Sequence, residues 1–179
     1  MNVSTTVRRG LPRVLVASTA ALGLALATVQ PANATYLATG FGTGLTYINN
    51  YSYNSVWQPA MNLAVSNWNA TATPVDIQKI SGGNVVTAGA SASNLYGWYT
   101  RYATSFTIHL NSTKINASCT NVSNCITSVF VHEFGHTFYQ DDDPPVCSTC
   151  SVMRGDRPRS STTMRAPKTY DVNETNAYL

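Results

Sequence analysis

The stretch "VHEFGHTFYQDDD", residues 131–143, decides how the rest of the chain is read. It sets two of the chain's three histidines four residues apart and follows them with three consecutive acids. Around it, Ile126, Phe130, Phe134 and Phe138 recur at four-residue steps. That apolar stripe predicts a largely buried helix from Ile126 to Gln140, with the histidines on a different face. On such a helix His132 and His136 stand one turn apart, about 5–6 Å between Cβ atoms, and a single zinc ion spans that gap. Glu133 is rotated away from direct coordination but stays close enough to take a proton from a water at the metal, which is a general base's task.

Tetrahedral zinc in a catalytic site takes three protein ligands and leaves one position open. If the chain turns sharply after Phe138, Asp141, Asp142 and Asp143 all come within reach, and Asp156 is a more distant alternative. Glu174 is explained by its place in an Asp-x-x-Glu capping pattern with Asp171, ahead of a short terminal helix. His109, in "SFTIHLN", reads as a strand residue and not a ligand.

Taken together, His132-Glu133-x-x-His136 with Asp142 six residues beyond resembles the metzincin zinc peptidases. The variant is the one with Asp as last ligand, as in snapalysin and bacterial matrixin-like proteins. Met153 in "SVMRGDRPR" resembles that clan's methionine turn, and "KTYDVNETNAYL" resembles the end of bacterial matrixin-like domains. The resemblance covers most of the chain after its leader, with its specificity between Val131 and Arg154.

The resemblance implies a zincin-like α+β single domain. Its twisted, mostly parallel sheet of about four or five strands is backed by two helices and followed by a short irregular part with the Met-turn. It implies one catalytic Zn2+ held by His132, His136 and Asp142, with Glu133 as the catalytic base. The expected activity is that of a secreted zinc-dependent endopeptidase acting on a protein or peptide substrate. It further implies that "TIHLN" is an edge strand beside the substrate cleft, bordered by His109. A structural calcium is not readable. The alternative from another class is a non-catalytic secreted zinc-binding surface protein. One departure stands out, because the family pattern has Gly three residues after the second histidine and this chain has Tyr139. If the left-handed backbone is kept, a bulky residue there costs about 1–2 kcal/mol. The choice of Asp142 over its neighbours stays open on that account. No tyrosine is assigned to catalysis, since the position of the clan's switching tyrosine holds Gly155.

The bulk properties agree with export. "MNVSTTVRRGLPR" is basic, "VLVASTAALGLALATV" is apolar, and Ala32-Asn33-Ala34 supplies small residues for cleavage, so residues 1–34 read as a secretory signal peptide and 35–179 as one metallopeptidase domain. The apolar run is too short for a membrane anchor. Arg8, Arg9 and Arg13 are three of the 11 basic residues, which leaves eight against eight acids after cleavage. That neutral balance gives no basic patch for nucleic acid. A monomer is expected. Cys119, Cys125, Cys147 and Cys150 all fall after the leader, an even number that predicts disulfides, with local or crossed pairing both open.

Elsewhere, "GLTYINN" reads as a strand and "NSVWQPAMNLAVSNWN" as a long helix capped by Asn54 or Ser55, with Pro59 tolerated near its first turn. Then "VDIQKI", "VVTAGAS", "YGWYTRYA" and "SFTIHLN" read as strands of one sheet.

Overall fold

The computed structural model describes residues 36–179, so the leader expected over 1–34 lies outside the described residues. Ten elements follow in order: strand β1 (Leu45–Asn49), helix α1 (Trp57–Asn69), strands β2 (Asp76–Ile80), β3 (Val85–Gly89), β4 (Gly97–Arg101) and β5 (Phe106–Asn111), helices α2 (Ser112–Ser118) and α3 (Val122–Thr137), a 3-10 turn (Thr162–Met164) and helix α4 (Thr169–Tyr178). All four expected strand runs after α1 form, and so do both long helices.

The helix boundaries follow from local chemistry. Asn54 Oδ1 accepts from the Val56 and Trp57 amides and satisfies two donors at the start of α1. Helix α3 begins four residues before the expected Ile126, because Asn121 Oδ1 caps the Asn124 amide. Helix α2, which carries no long apolar stripe, is set by Asn111 in the same way through the Lys114 amide. The terminal helix begins at Thr169, not after Asp171. Asp171 lies in its first turn and reaches back to the Lys168 amide.

The expected fold class is not what forms. In place of one mostly parallel sheet there are two smaller ones, β1-β2 and the mixed β3-β5-β4. The pairs β1–β2 and β3–β5 are parallel, and β4–β5 is antiparallel. The antiparallel pair has a simple cause. Only Tyr102 to Ser105 separates β4 from β5, closed by a 2.8 Å bond from Tyr102 N to Ser105 O, and so short a link cannot make the crossover that parallel strands need. The split between the sheets is caused by asparagines. Asn49 Oδ1 takes the Val86 amide at 2.6 Å, and Asn84 Nδ2 donates to Tyr47 O at 2.8 Å. A single parallel bridge, Ile48 to Asn84, is what regular pairing remains there. A second correction concerns β5, which lies in the middle of its sheet. The edges are β3 and β4, and β4 is the one that lines the cleft.

The core is formed where α1 and α3 pack together against the strands. Trp68, Phe130, Phe134 and Phe138 are fully buried together with Ile48, Ile108 and Leu110. Every residue of α3 from Asn124 to Thr137 is buried, so the helix has no solvent face to spare and its histidines can open only onto a cleft. Two buried polar bonds fix how the helices lie: Trp68 Nε1 donates to Val131 O at 2.9 Å, and Thr127 Oγ1 donates to Ala60 O at 3.0 Å. Cysteines pair locally, Cys119 with Cys125 and Cys147 with Cys150. Among the described residues no helix is long and apolar enough to cross a membrane.

Trp68→Phe removes the indole donor and part of the core volume one residue from His132. It is expected to cost about 1–3 kcal/mol in urea unfolding with an unchanged m-value. A loss below about 0.5 kcal/mol would show that the Trp68 contact does not fix α3.

Candidate metal centre and its cleft

Helix α3 places His132 and His136 edge to face, with ring centroids 4.7 Å apart. Each imidazole is oriented by a backbone carbonyl: His132 Nδ1 lies 3.0 Å from Val152 O, and His136 Nδ1 lies 2.9 Å from Gln140 O. A carbonyl only accepts, so both Nδ1 atoms carry a proton and both Nε2 atoms are turned toward the cleft. Burial, reinforced by the Arg157 charge, pushes His132 down to about 3, which holds it neutral.

Both Nε2 atoms face a carboxylate. Asp142 Oδ1 stands 3.2 Å from His132 Nε2 and 3.8 Å from His136 Nε2. Burial works upward on the Asp142 carboxyl, but the facing imidazoles and Arg157 outweigh it and hold the group near 2. Among the three consecutive acids, Asp142 alone has its carboxylate on both imidazoles. Asp141 Oδ1 is occupied by the Asp142 amide at 2.8 Å, and Asp143 Oδ1 by the Gly155 amide at 2.6 Å. Asp156 is paired with Arg154 through two bonds, at 3.0 and 2.9 Å, on the exposed surface. Glu174 accepts from Tyr178.

Glu133 joins the histidines, with one ligand-type atom from each of the three residues lying within 4.8 Å of the others. Burial pushes its carboxyl up to about 8, against the downward pull of Arg157, into the range useful to a base at neutral pH. The approach depends on Gly97 at the start of β4, since a Cβ there would come within 2.9 Å of Glu133 Oε1. His109 stacks on Trp98 at 4.2 Å and shares Nδ1 with Thr87 Oγ1, while its Nε2 is buried without a hydrogen-bond partner.

The turn after α3 keeps the left-handed backbone that the departure at Tyr139 put in question. Tyr139 has φ 64°. Its ring fills the space left by two glycines: a Cβ on Gly40 or Gly42 would come within 2.2 or 2.0 Å of it. The ring also stacks on Tyr36 at 5.3 Å. The segment carrying these residues is bound across the helix end by Leu37 N to Tyr139 O and Phe41 N to Thr137 O, 2.7 and 2.9 Å. Ring packing of this kind contributes about 0.5–1.5 kcal/mol beyond burial, enough to offset the backbone cost.

Met153 lies beneath the histidines. It fits because position 135 is glycine: a Cβ there would stand 2.2 Å from Met153 Sδ. One residue supports both sides of this arrangement. The buried carboxylate of Asp171 accepts from Ser151 Oγ at 2.5 Å, Val152 N at 3.0 Å and Lys168 N at 2.7 Å, while its main-chain oxygen accepts from Gln140 Nε2 at 2.7 Å. Val152 and Gln140 are the residues whose carbonyls orient His132 and His136. Gly97, Gly135 and the buried Arg157 escaped the sequence reading, which gave Asp171 only a capping role. Gly135, inside the motif, and Asp171, in the capping pattern, carried a local signal.

These residues open on a cavity of about 590 Å³, walled by Asn94 to Tyr99 on one side and by Gly155 and Arg159 on the other.

No family model and no curated protein matches the chain. Among solved structures, it is similar to a chain of one described as "GM1 bound form of the ECX AB5 holotoxin". The TM-score is 0.58 at 11% sequence identity, covering 80% of this chain and 83% of that one. At that identity the likeness concerns the fold alone. It does not carry the zincin-like class expected from the motif, and the fold class is corrected to a small α+β domain with mixed sheets.

Two results follow from this geometry. Tyr139→Ala should destabilise more than Tyr139→Gly, the gap being about 1 kcal/mol of left-handed strain that only glycine relieves. Equal losses in thermal or urea unfolding would contradict the strained turn. Asp171→Ala leaves three donors, two of them buried, without an acceptor and should cost about 3 kcal/mol or more. A near-neutral effect would remove Asp171 from its supporting role.

Proposed function

We propose that this protein is a secreted zinc-dependent endopeptidase. The observation that supports the reading best is the convergence of ligand atoms: two imidazole nitrogens and a carboxylate oxygen face one another at 3.2 and 3.8 Å, with each ring held from behind by a backbone carbonyl. Such a cluster is favourable around a divalent cation. The donor set, two imidazole nitrogens and one carboxylate oxygen, suits zinc. His132, His136 and Asp142 would hold it, oriented by the carbonyls of Val152 and Gln140 as metal-bound histidines commonly are.

When bound, zinc supplies the Lewis acidity that activates water and polarises a peptide carbonyl. Glu133 accepts the proton of the attacking water at its carboxylate and returns it to the leaving amine, so it acts first as base and then as acid. The buried surround of Glu133 keeps its carboxyl near neutrality, as both steps require. An extended peptide lies along β4, whose outer edge has no strand partner among the described residues, and takes main-chain bonds there. A purely structural zinc site has no use for a buried carboxylate beside its ligands. Export is supported by the basic, apolar and small-residue order of the leader and by two disulfides.

The test is hydrolysis of casein or a quenched peptide alongside measurement of bound zinc. One zinc per chain and hydrolysis abolished by o-phenanthroline are expected. Glu133→Gln should lower kcat by about 100-fold or more while keeping the metal. One bound zinc without hydrolysis, unchanged by Glu133→Gln, would favour the non-catalytic zinc-binding protein instead.

A further inference from the structure

The wall of the cleft beyond Met153 carries a cation that the metal centre does not use. Arg159 lines the same cavity as His132, Glu133 and His136. Its guanidinium lies over the Tyr96 ring, 4.5 Å from the centroid, and Nη2 donates to Gly155 O at 2.7 Å. No carboxylate among the described residues stands within ion-pair distance of it. Its Nε is buried and has no hydrogen-bond partner. Desolvation pushes its pKa down, so the charge is held at a cost that a bound anion would relieve.

Glu133, Asp142 and Asp143 offset this cost in part through space, but none of them bonds to the guanidinium. Asp142 is turned to the histidines, Asp143 Oδ1 is bonded to Gly155 N, and Asp141 Oδ1 is bonded to Asp142 N. Behind Arg159, Arg157 is buried and engaged by Ser128 Oγ, Ser128 O and Arg154 O, all uncharged acceptors, so it adds positive potential without presenting a donor to the cleft. Stacking on Tyr96 fixes the plane of the Arg159 fork, which lowers the entropy lost when a planar carboxylate docks.

We propose that Arg159 is a specificity-determining residue that binds an acidic side chain, Glu or Asp, at one of the two positions flanking the scissile bond. This rests on the cleft being a peptide-binding cleft, as proposed above. The carboxylate would pair with the cleft-facing side of the guanidinium through charge-assisted bonds, which Gln forms only in their weaker neutral version and Leu not at all.

The test uses matched quenched peptides differing only in Glu, Gln, Leu or Lys at the two flanking positions, with cleavage sites mapped by mass spectrometry. Binding of the same peptides to the metal-free protein is measured in parallel by calorimetry. A preference for Glu over Gln of about tenfold or more is expected in both kcat/KM and Kd, weakening with added salt. Arg159→Gln should bring both ratios close to one, and Arg159→Glu should favour Lys. Equal treatment of Glu and Gln by the unaltered protein would overturn the inference while leaving the peptidase reading in place. Arg159→Gln lowering all peptides alike would also overturn it, because that is the signature of a prop for Tyr96. A tenfold binding preference without hydrolysis of any peptide would support the subsite and refute the peptidase.

Discussion

The whole arrangement depends on two hydrogen bonds at the backs of the imidazoles. By donating Nδ1–H to Val152 O and Gln140 O, His132 and His136 are committed to the tautomer that turns their basic nitrogens toward the cleft. Neither ring can rotate without leaving a buried carbonyl unpaired. Asp171 makes this a single constraint rather than two, since its carboxylate fixes Val152 and its main-chain oxygen fixes the Gln140 side chain. A residue on the last helix, far from the motif in sequence, thereby sets the aim of both histidines.

The rest of the fold can be understood as the means of burying that helix without closing the cleft. Every residue of α3 from Asn124 onward is buried, held by Trp68 and Thr127 on the α1 side and by Met153 beneath Gly135. The short link between β4 and β5 forces an antiparallel pair, and this places the edge of the mixed sheet, with Gly97, beside Glu133. The left-handed Tyr139 then turns the chain back so that Asp142 meets the histidines. Its backbone cost is met locally, by a ring lying in the space of two glycines.

The sequence was most informative where one element carries the chemistry. The spacing of His132, Glu133 and His136 on an amphipathic helix needs only the 3.6-residue period to be placed, and the strand runs were visible in their β-branched and aromatic content. Sheet connectivity was harder. The expectation of a single sheet came from the strand runs and that of mostly parallel strands from the motif's resemblance, and the short link at Tyr102–Ser105 argued against the latter. The split at Asn49 and Asn84 depends on side chains replacing ladder bonds, which no periodicity records. The supporting residues were illegible for a similar reason: Asp171 looked sufficient as a capping residue, and Gly97 and Arg159 acquire meaning only when distant segments meet across the cleft.

The central claim is that the converging nitrogens and carboxylate form one cation site, and it is tested most directly by diffraction from zinc-equilibrated crystals at energies either side of the zinc edge. The account predicts a single anomalous peak bounded by His132 Nε2, His136 Nε2 and an Asp142 oxygen, with both Nδ1 bonds intact. A peak elsewhere, or no peak with the imidazoles instead hydrogen-bonded to Asp142, would contradict it.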